Sequence, residues 1–382
     1  MALDAPGHRV RDHIRGHALT RGGARPRQAW LDWVRGLAVV LMVLSHVVDA
    51  WTRDADRDRT AFYAATFLGG LAAPAFLFLA GLGSAFSATS QQARGVDRAA
   101  VRAALVRRGL AIFGLAFAFR LQAFALGLGS PVDLLKVDIL NVMGLALVVA
   151  ALVWGAVNGS RERVCLAATA TVAMAMVAPL VPTAGWVDLL PAPAQWYLRP
   201  AAGHTNFSLL PWTAFVCAGL AAGVALAGAR DLRAARRVHL TLAALAVAGT
   251  AAAYWASFEP TIYPPGYSTF WGVSPAFFFV RLGLVTALLP LGWAVRAVMP
   301  ARLGLGLATL GAASLFVYWV HVELVYGGVA ILIKRRVPLE LALVATALVS
   351  YGMARLVGWA RAWVTAQDDR PAPLRRLVAR ML

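Results

Sequence analysis

Cysteine and charge are both scarce in this chain. Only two of the 382 residues are cysteines, Cys165 and Cys217, each inside an apolar stretch, which excludes a disulfide framework and a thiolate metal site. Charged residues make up 14% and hydrophobic residues 60%, against about 25% and roughly 45–50% in soluble domains, so one aqueous core could not hide the apolar surface. Acids are scarcer still, with 18 Asp and Glu against 36 Lys and Arg. The excess base falls in short connectors between apolar stretches rather than in one patch, so nucleic acid is not expected as a partner. A phosphate-cradling loop, a zinc-protease helix motif and a nucleophile elbow are all missing. The first 29 residues hold six arginines but no apolar run and no serine, which argues against both a secretory signal and a transit peptide. Residues 1–29 read as a basic cytoplasmic tail, and its His8, His13 and His17 read as chance histidines.

What is present is a series of ten apolar stretches, each near the 20 residues that a bilayer core requires. They run approximately over 30–51, 61–87, 106–128, 134–157, 163–182, 207–229, 238–258, 275–298, 305–327 and 339–363. The expectation is an all-α, polytopic transmembrane bundle occupying residues 30–363, followed at 364–382 by a basic amphipathic tail. The lipid bilayer is then its surroundings, and in a bacterium the membrane is the inner one. Connectors after even-numbered stretches carry Arg94, Arg98, Arg102, Arg107 and Arg108, then Arg161 and Arg163, then Arg230, Arg233, Arg236 and Arg237, then Arg296 and Arg302. Those belong on the cytoplasmic side, and both termini with them. Lys334-Arg335-Arg336 falls on the opposite side, an exception for which a longer ninth helix is the available account. Residues 183–206 form the longest outer loop. No period of 20–50 residues repeats, and the pattern leaves the oligomeric state open.

Ionisable residues inside spans are costly, and they mark a water-filled path, a site or a structural ion pair. The first stretch carries Asp32, Arg35, His46 and Asp49. Arg35 and His46 are 11 residues apart, which puts them within roughly 20° of one helix face and about 16 Å apart along the axis. Arg120, Asp138, Arg281, His321 and Glu323 all fall in the outer half of their stretches, near the level of His46. A salt-bridge cluster is one reading. Imidazoles beside acids at one depth point instead to proton transfer. Pro74 predicts a kink or break in the second stretch.

The first stretch, Leu31-Asp32-x-x-Arg35-Gly36-Leu37-Ala38 with His46 beyond it, resembles the first-helix signature of membrane acyltransferases. Specifically it is similar to the heparan-α-glucosaminide N-acetyltransferase catalytic-domain family and its bacterial relatives. Similar segments follow in order: Ala73-Pro74 to Gly81, Asp138 to Gly144, Phe207 to Trp212, and Ser314 to His321. The resemblance implies a helical bundle that takes an acyl group, usually acetyl from acetyl-CoA, on the cytoplasmic side and delivers it to a glycan or amino-sugar acceptor on the other, with no metal. His46 matches the family's catalytic histidine, and Arg35, beside Asp32, matches an inner arginine associated with the CoA donor. Asp49, one turn on, is a candidate to orient His46. Arg120, Arg281 and His321 are candidates for polarising the thioester oxygen or holding the acceptor. Direct transfer and a relay through an acyl-histidine both stay open, and a proton-coupled secondary transporter or exporter is the competing class.

Overall fold

In the computed structural model, residues 28–125, 130–263 and 273–366, with 378, 379 and 381, are described. The basic tail up to residue 27 and most of the C-terminal amphipathic segment lie outside them. The described residues are helical, and their β pairing is confined to two isolated bridges. The helices are α1 (Ala29–Trp51), α2 (Thr60–Gly69), α3 (Ala72–Ala93), α4 (Arg98–Ala125), α5 (Ile139–Ala156) and α6 (Ser160–Val177). After the long loop come α7 (Leu209–Gly228), α8 (Leu232–Ala256), α9 (Pro275–Val295), α10 (Ala301–Ala312), α11 (Ser314–Tyr326) and α12 (Leu339–Ala366).

Eight helical segments among the described residues are long and apolar enough to cross a bilayer. The count becomes nine if α10 and α11, bent by 84°, form one broken span. Ten stretches are expected from the sequence; the one at 106–128 falls on α4, a 28-residue helix with five arginines that is not among those segments. The expected break in the second stretch lies at Gly70–Leu71, between α2 and α3, and Pro74 occupies the first turn of α3, where its missing N–H costs nothing.

Glycine sets how closely the helices approach. A Cβ on Gly219 of α7 would stand 1.8 Å from the Phe78 carbonyl oxygen of α3, and one on Gly81 would stand 1.9 Å from that of Val216. The two backbones therefore touch, as small residues permit when apolar lipid supplies no hydrophobic drive for association. α1 and α10 meet the same way, through Gly36 against Leu307 and Gly311 against the Asp32 carbonyl. α1 packs against α2, α3 and α9–α12, whereas α4–α7 form a second group joined to it through α3.

Helix ends gather into two faces. Thr52 bridges to Val337 and Val137 to Thr205, while Trp51 Nε1 donates to the Val325 carbonyl and Arg59 pairs with Glu340. These contacts tie the end of α1, the starts of α2 and α12, and the end of α11 together, and the approach to α5 to the loop before α7, in what is here called the His46 face. On the opposite, Arg35 face, Arg98 binds Asn158 and Arg163 binds Gln92, joining the turns before α4 and α6. The Lys334–Arg336 exception has a structural reason other than a longer helix. α11 stops at Tyr326, and Arg335 turns back to donate its backbone N–H to Ala50 and its guanidinium to Asp54 at 2.7 Å.

Candidate active site

α1 presents His46 toward α11, and the two helices share one hydrogen bond there. His46 Nδ1 lies 2.8 Å from His321 Nε2. The rings are within 5° of parallel with centroids 5.0 Å apart, the separation of coplanar imidazoles joined edge to edge. His321 is fully buried, and its Nδ1 sits 2.7 Å from the Val317 carbonyl oxygen one turn back. A carbonyl oxygen only accepts, so Nδ1 of His321 carries the proton. In the neutral ring Nε2 is then the acceptor, and His46 donates to it from Nδ1. That leaves Nε2 of the half-buried His46 as an unprotonated acceptor, with no hydrogen-bond partner among the described residues.

Tyrosines and carboxylates surround the pair. The Tyr326 ring meets that of His46 edge-on at 5.5 Å, and its hydroxyl donates to Asp49 Oδ2 at 3.4 Å. The other Asp49 oxygen takes Arg57 Nη2 at 3.1 Å, and Arg57 also donates to the Asp49 carbonyl. Asp49 is thus engaged by Arg57 and Tyr326 rather than by His46, whose Nδ1 is held by His321 instead. Sequence proximity could not show this, because the true partner lies 275 residues away.

Arg120 and Asp138 form a pair of their own, Nη2 to Oδ2 at 2.7 Å. Asp138 also caps α5 by accepting the Ile139 N–H, so part of its role is to start that helix. The pair connects to the histidines through packing: Phe119 contacts Tyr318 and Trp319, and the Tyr318 ring meets that of His321 at 6.1 Å. Glu323 accepts from Gln122 Nε2 at 3.0 Å, while the Gln122 carbonyl oxygen accepts from the Trp319 indole. Arg281 stands apart from the imidazoles, 3.8 Å over the Phe277 ring and 5.8 Å from that of Trp212. Its guanidinium faces Gly70, and the neighbouring Gly69 presses on Ser45, the residue before His46. Tyr326, Tyr318 and Gln122 escaped the sequence reading, which looked for charge; the spacing of Trp319, Glu323 and Tyr326 along one stripe of α11 was the available signal.

At the other end of α1, Arg35 Nη1 is 3.8 Å from Asp32 Oδ1. Asp32 is buried and the Arg35 side chain is 36% exposed. α3 approaches it at Gly83, where a Cβ would lie 3.1 Å from the Arg35 guanidinium. Counted along the helix, this cation is about 16 Å from His46 on nearly the same face. No three His, Cys, Asp or Glu side chains among the described residues are gathered as a metal-binding group.

The bundle thus carries an imidazole pair near one face and a cation near the other, both on α1 or against it. The family model described as "Heparan-alpha-glucosaminide N-acetyltransferase, catalytic" matches residues 27–260, and the chain belongs to that family. The chain is therefore a membrane acetyltransferase in the general sense, and the family uses acetyl-CoA as donor with a sugar acceptor. The matched stretch contains Asp32, Arg35, His46, Asp49, Arg120 and Asp138; Arg281 and His321 lie beyond it. No curated protein matches the chain.

Proposed function

We propose that the protein moves an acetyl group from acyl-CoA, bound at the Arg35 face in the cytoplasm, to an amine or hydroxyl of a sugar-like acceptor at the His46 face outside. Both termini and the Arg35 face are then cytoplasmic, in line with the basic connectors there. The observation that carries the reading is the hydrogen bond of His46 Nδ1 to His321, itself held by the Val317 carbonyl, which leaves Nε2 of His46 to act as a base at the far end of the helix that carries Arg35. Arg35 would hold a phosphate of the donor, and the extended pantetheine arm is comparable to the ~16 Å separation.

In the direct version the acceptor's amine or hydroxyl attacks the thioester carbon while His46 Nε2 takes its proton. The resulting imidazolium shares its Nδ1 proton with His321. The tetrahedral intermediate collapses, the C–S bond breaks, and the CoA sulfur leaves and takes the proton from His46. Arg281 and Arg120 are the cations assigned to polarise the thioester oxygen or hold the acceptor.

Incubating purified protein with labelled acetyl-CoA and a panel of amino sugars and glycans tests the assignment. Labelled product from wild type and none from His46→Ala is the expected result. Failure of any acyl-CoA to bind, together with substrate-dependent proton flux in vesicles, would establish a transporter instead.

A further inference from the structure

The corner between α4 and α5 on the Arg35 face holds an unneutralised concentration of arginine. Arg94, Arg98, Arg102, Arg107 and Arg108 precede or open α4, and Arg161 and Arg163 open α6, against only Asp97 and Glu162 in the same segments. Both acids are already spent on helix starts. Asp97 accepts the N–H groups of Ala99 and Ala100, and Glu162 accepts that of Gly159. Among the described residues none of these seven arginines forms a salt bridge.

A cleft opens within this corner. It has a volume of about 60 Å³ and is lined by Arg98, Ala99, Arg102 and Gly155. That is room for several waters at about 10–15 Å³ each, and so for a phosphate group. Gly155 of α5 creates part of the space, because a Cβ there would stand 2.5 Å from Arg102 Cδ. Leu110 of α4 and Leu152 of α5 lie one to three turns deeper and expose more than half of their surface. Four of the five arginines of α4 lie between Arg98 and Arg108, so its first turns belong at headgroup level. The arrangement is a cationic cleft at headgroup level with an apolar flank running into the bilayer, the form in which basic pockets between spans take anionic lipid heads.

We propose that this cleft binds the phosphodiester headgroup of an anionic phospholipid through Arg98 and Arg102, with an acyl chain lying along Leu110 and Leu152. None of Arg98, Ala99, Arg102 and Gly155 is used in the proposed acyl transfer, and the occupant shares phosphate chemistry with free phosphate and with nucleotides.

Native mass spectrometry of the purified full chain, titrated with phosphatidylglycerol or phosphatidylcholine, tests the assignment. The expected result is one phosphatidylglycerol retained per chain in preference to phosphatidylcholine. Replacing Arg98 and Arg102 together by Gln should weaken it about thirtyfold, from two surface cations. Gly155→Ala changes no charge and should also weaken it, by crowding the cleft. Arg94→Gln with Arg161→Gln removes the same charge from the same face and should weaken binding clearly less, because neither residue lines the cleft. Equal losses in the two double variants, with Gly155→Ala unaffected, would overturn the proposal in favour of diffuse surface attraction. Displacement of the lipid by millimolar inorganic phosphate would overturn it in favour of a soluble phosphate site. Should the Arg98/Arg102 variant fail to fold, Gly155→Ala and the phosphate competition decide the question.

Discussion

His46 and His321 share a single hydrogen bond, 2.8 Å from Nδ1 to Nε2, and the Val317 carbonyl behind it fixes the direction in which that bond runs. In the proposed mechanism His321 stands to His46 as an orienting partner: it holds the ring, sets the tautomer and stabilises the imidazolium once Nε2 is protonated. This is the arrangement through which a base becomes effective without a carboxylate beside it.

Removing the base and removing its support should give different results. His46→Ala is expected to lower transfer by about 10²–10⁴-fold, the usual contribution of a general base, while folded protein and CoA binding persist. His321→Gln, whose side-chain oxygen can still accept from His46 Nδ1, should retain more kcat than His321→Ala. Both should move the ascending limb of the pH–kcat profile, since they change the partner of the group that must be deprotonated. Equal activity in the two His321 variants, with an unmoved limb, would reduce His321 to packing.

Two glycines on α3, two residues apart, separate folding from donor binding. Gly81 touches the backbone of α7, so Gly81→Ala forces the helices apart and should cost about 1–3 kcal/mol, as overpacking does. Gly83 faces only the tip of Arg35, with 3.1 Å to the guanidinium. Gly83→Ala should therefore leave the melting temperature close to wild type but weaken acetyl-CoA affinity, as should Arg35→Ala. Isothermal titration and thermal unfolding on the same preparations check both; a Gly83 variant with normal affinity would detach Arg35 from the donor.

The sequence made the spans readable because apolar stretches of bilayer length stand out in any chain, and it made His46 and Arg35 readable because their 11-residue spacing falls on one helix face. The pairing of His46 with His321 was not readable. It depends on the 84° bend at Ala313, between α10 and α11, and on the Gly36 and Gly311 contacts that seat α10 against α1. Periodicity within a helix carries no information about either. Asp49 shows the converse error: one turn from His46 it looked like a partner, but Arg57 from the following turn reaches it first. The salt-bridge reading holds in part, since Arg120 with Asp138 is an ion pair, and Asp49 finds its cation in Arg57.

Sidedness has a direct measurement. In a background lacking Cys165 and Cys217, single cysteines at Gln195 and Lys334 should react with an impermeant maleimide from outside intact cells, and single cysteines at Arg94 and Arg230 should not. Labelling of residues 94 and 195 from the same side would remove the transmembrane route of the acyl group, while leaving the histidine pair and its chemistry to be explained otherwise.

The His46 face also carries a carboxylate tie outside the spans. Buried Asp56 accepts Arg53 Nε at 2.9 Å, the Leu339 N–H at 3.0 Å and Arg59 at 3.5 Å, so one carboxylate ties the α1–α2 turn to the start of α12. The bond from Arg53, then that from Leu339, holds this carboxyl below the usual range for aspartate. Because the folded-state value is depressed, its stabilisation is present above the unfolded value of about 3.9 and is lost as pH falls through the folded value. Asp56→Asn should accordingly melt earlier than wild type at pH 7, and the gap should close as pH drops below about 4. Asp54→Asn, which breaks only the exposed pair with Arg335, should change the melting temperature little at any pH. A gap for Asp56→Asn that stays constant from pH 7 to pH 3 would mean that the side chain contributes by shape rather than by charge.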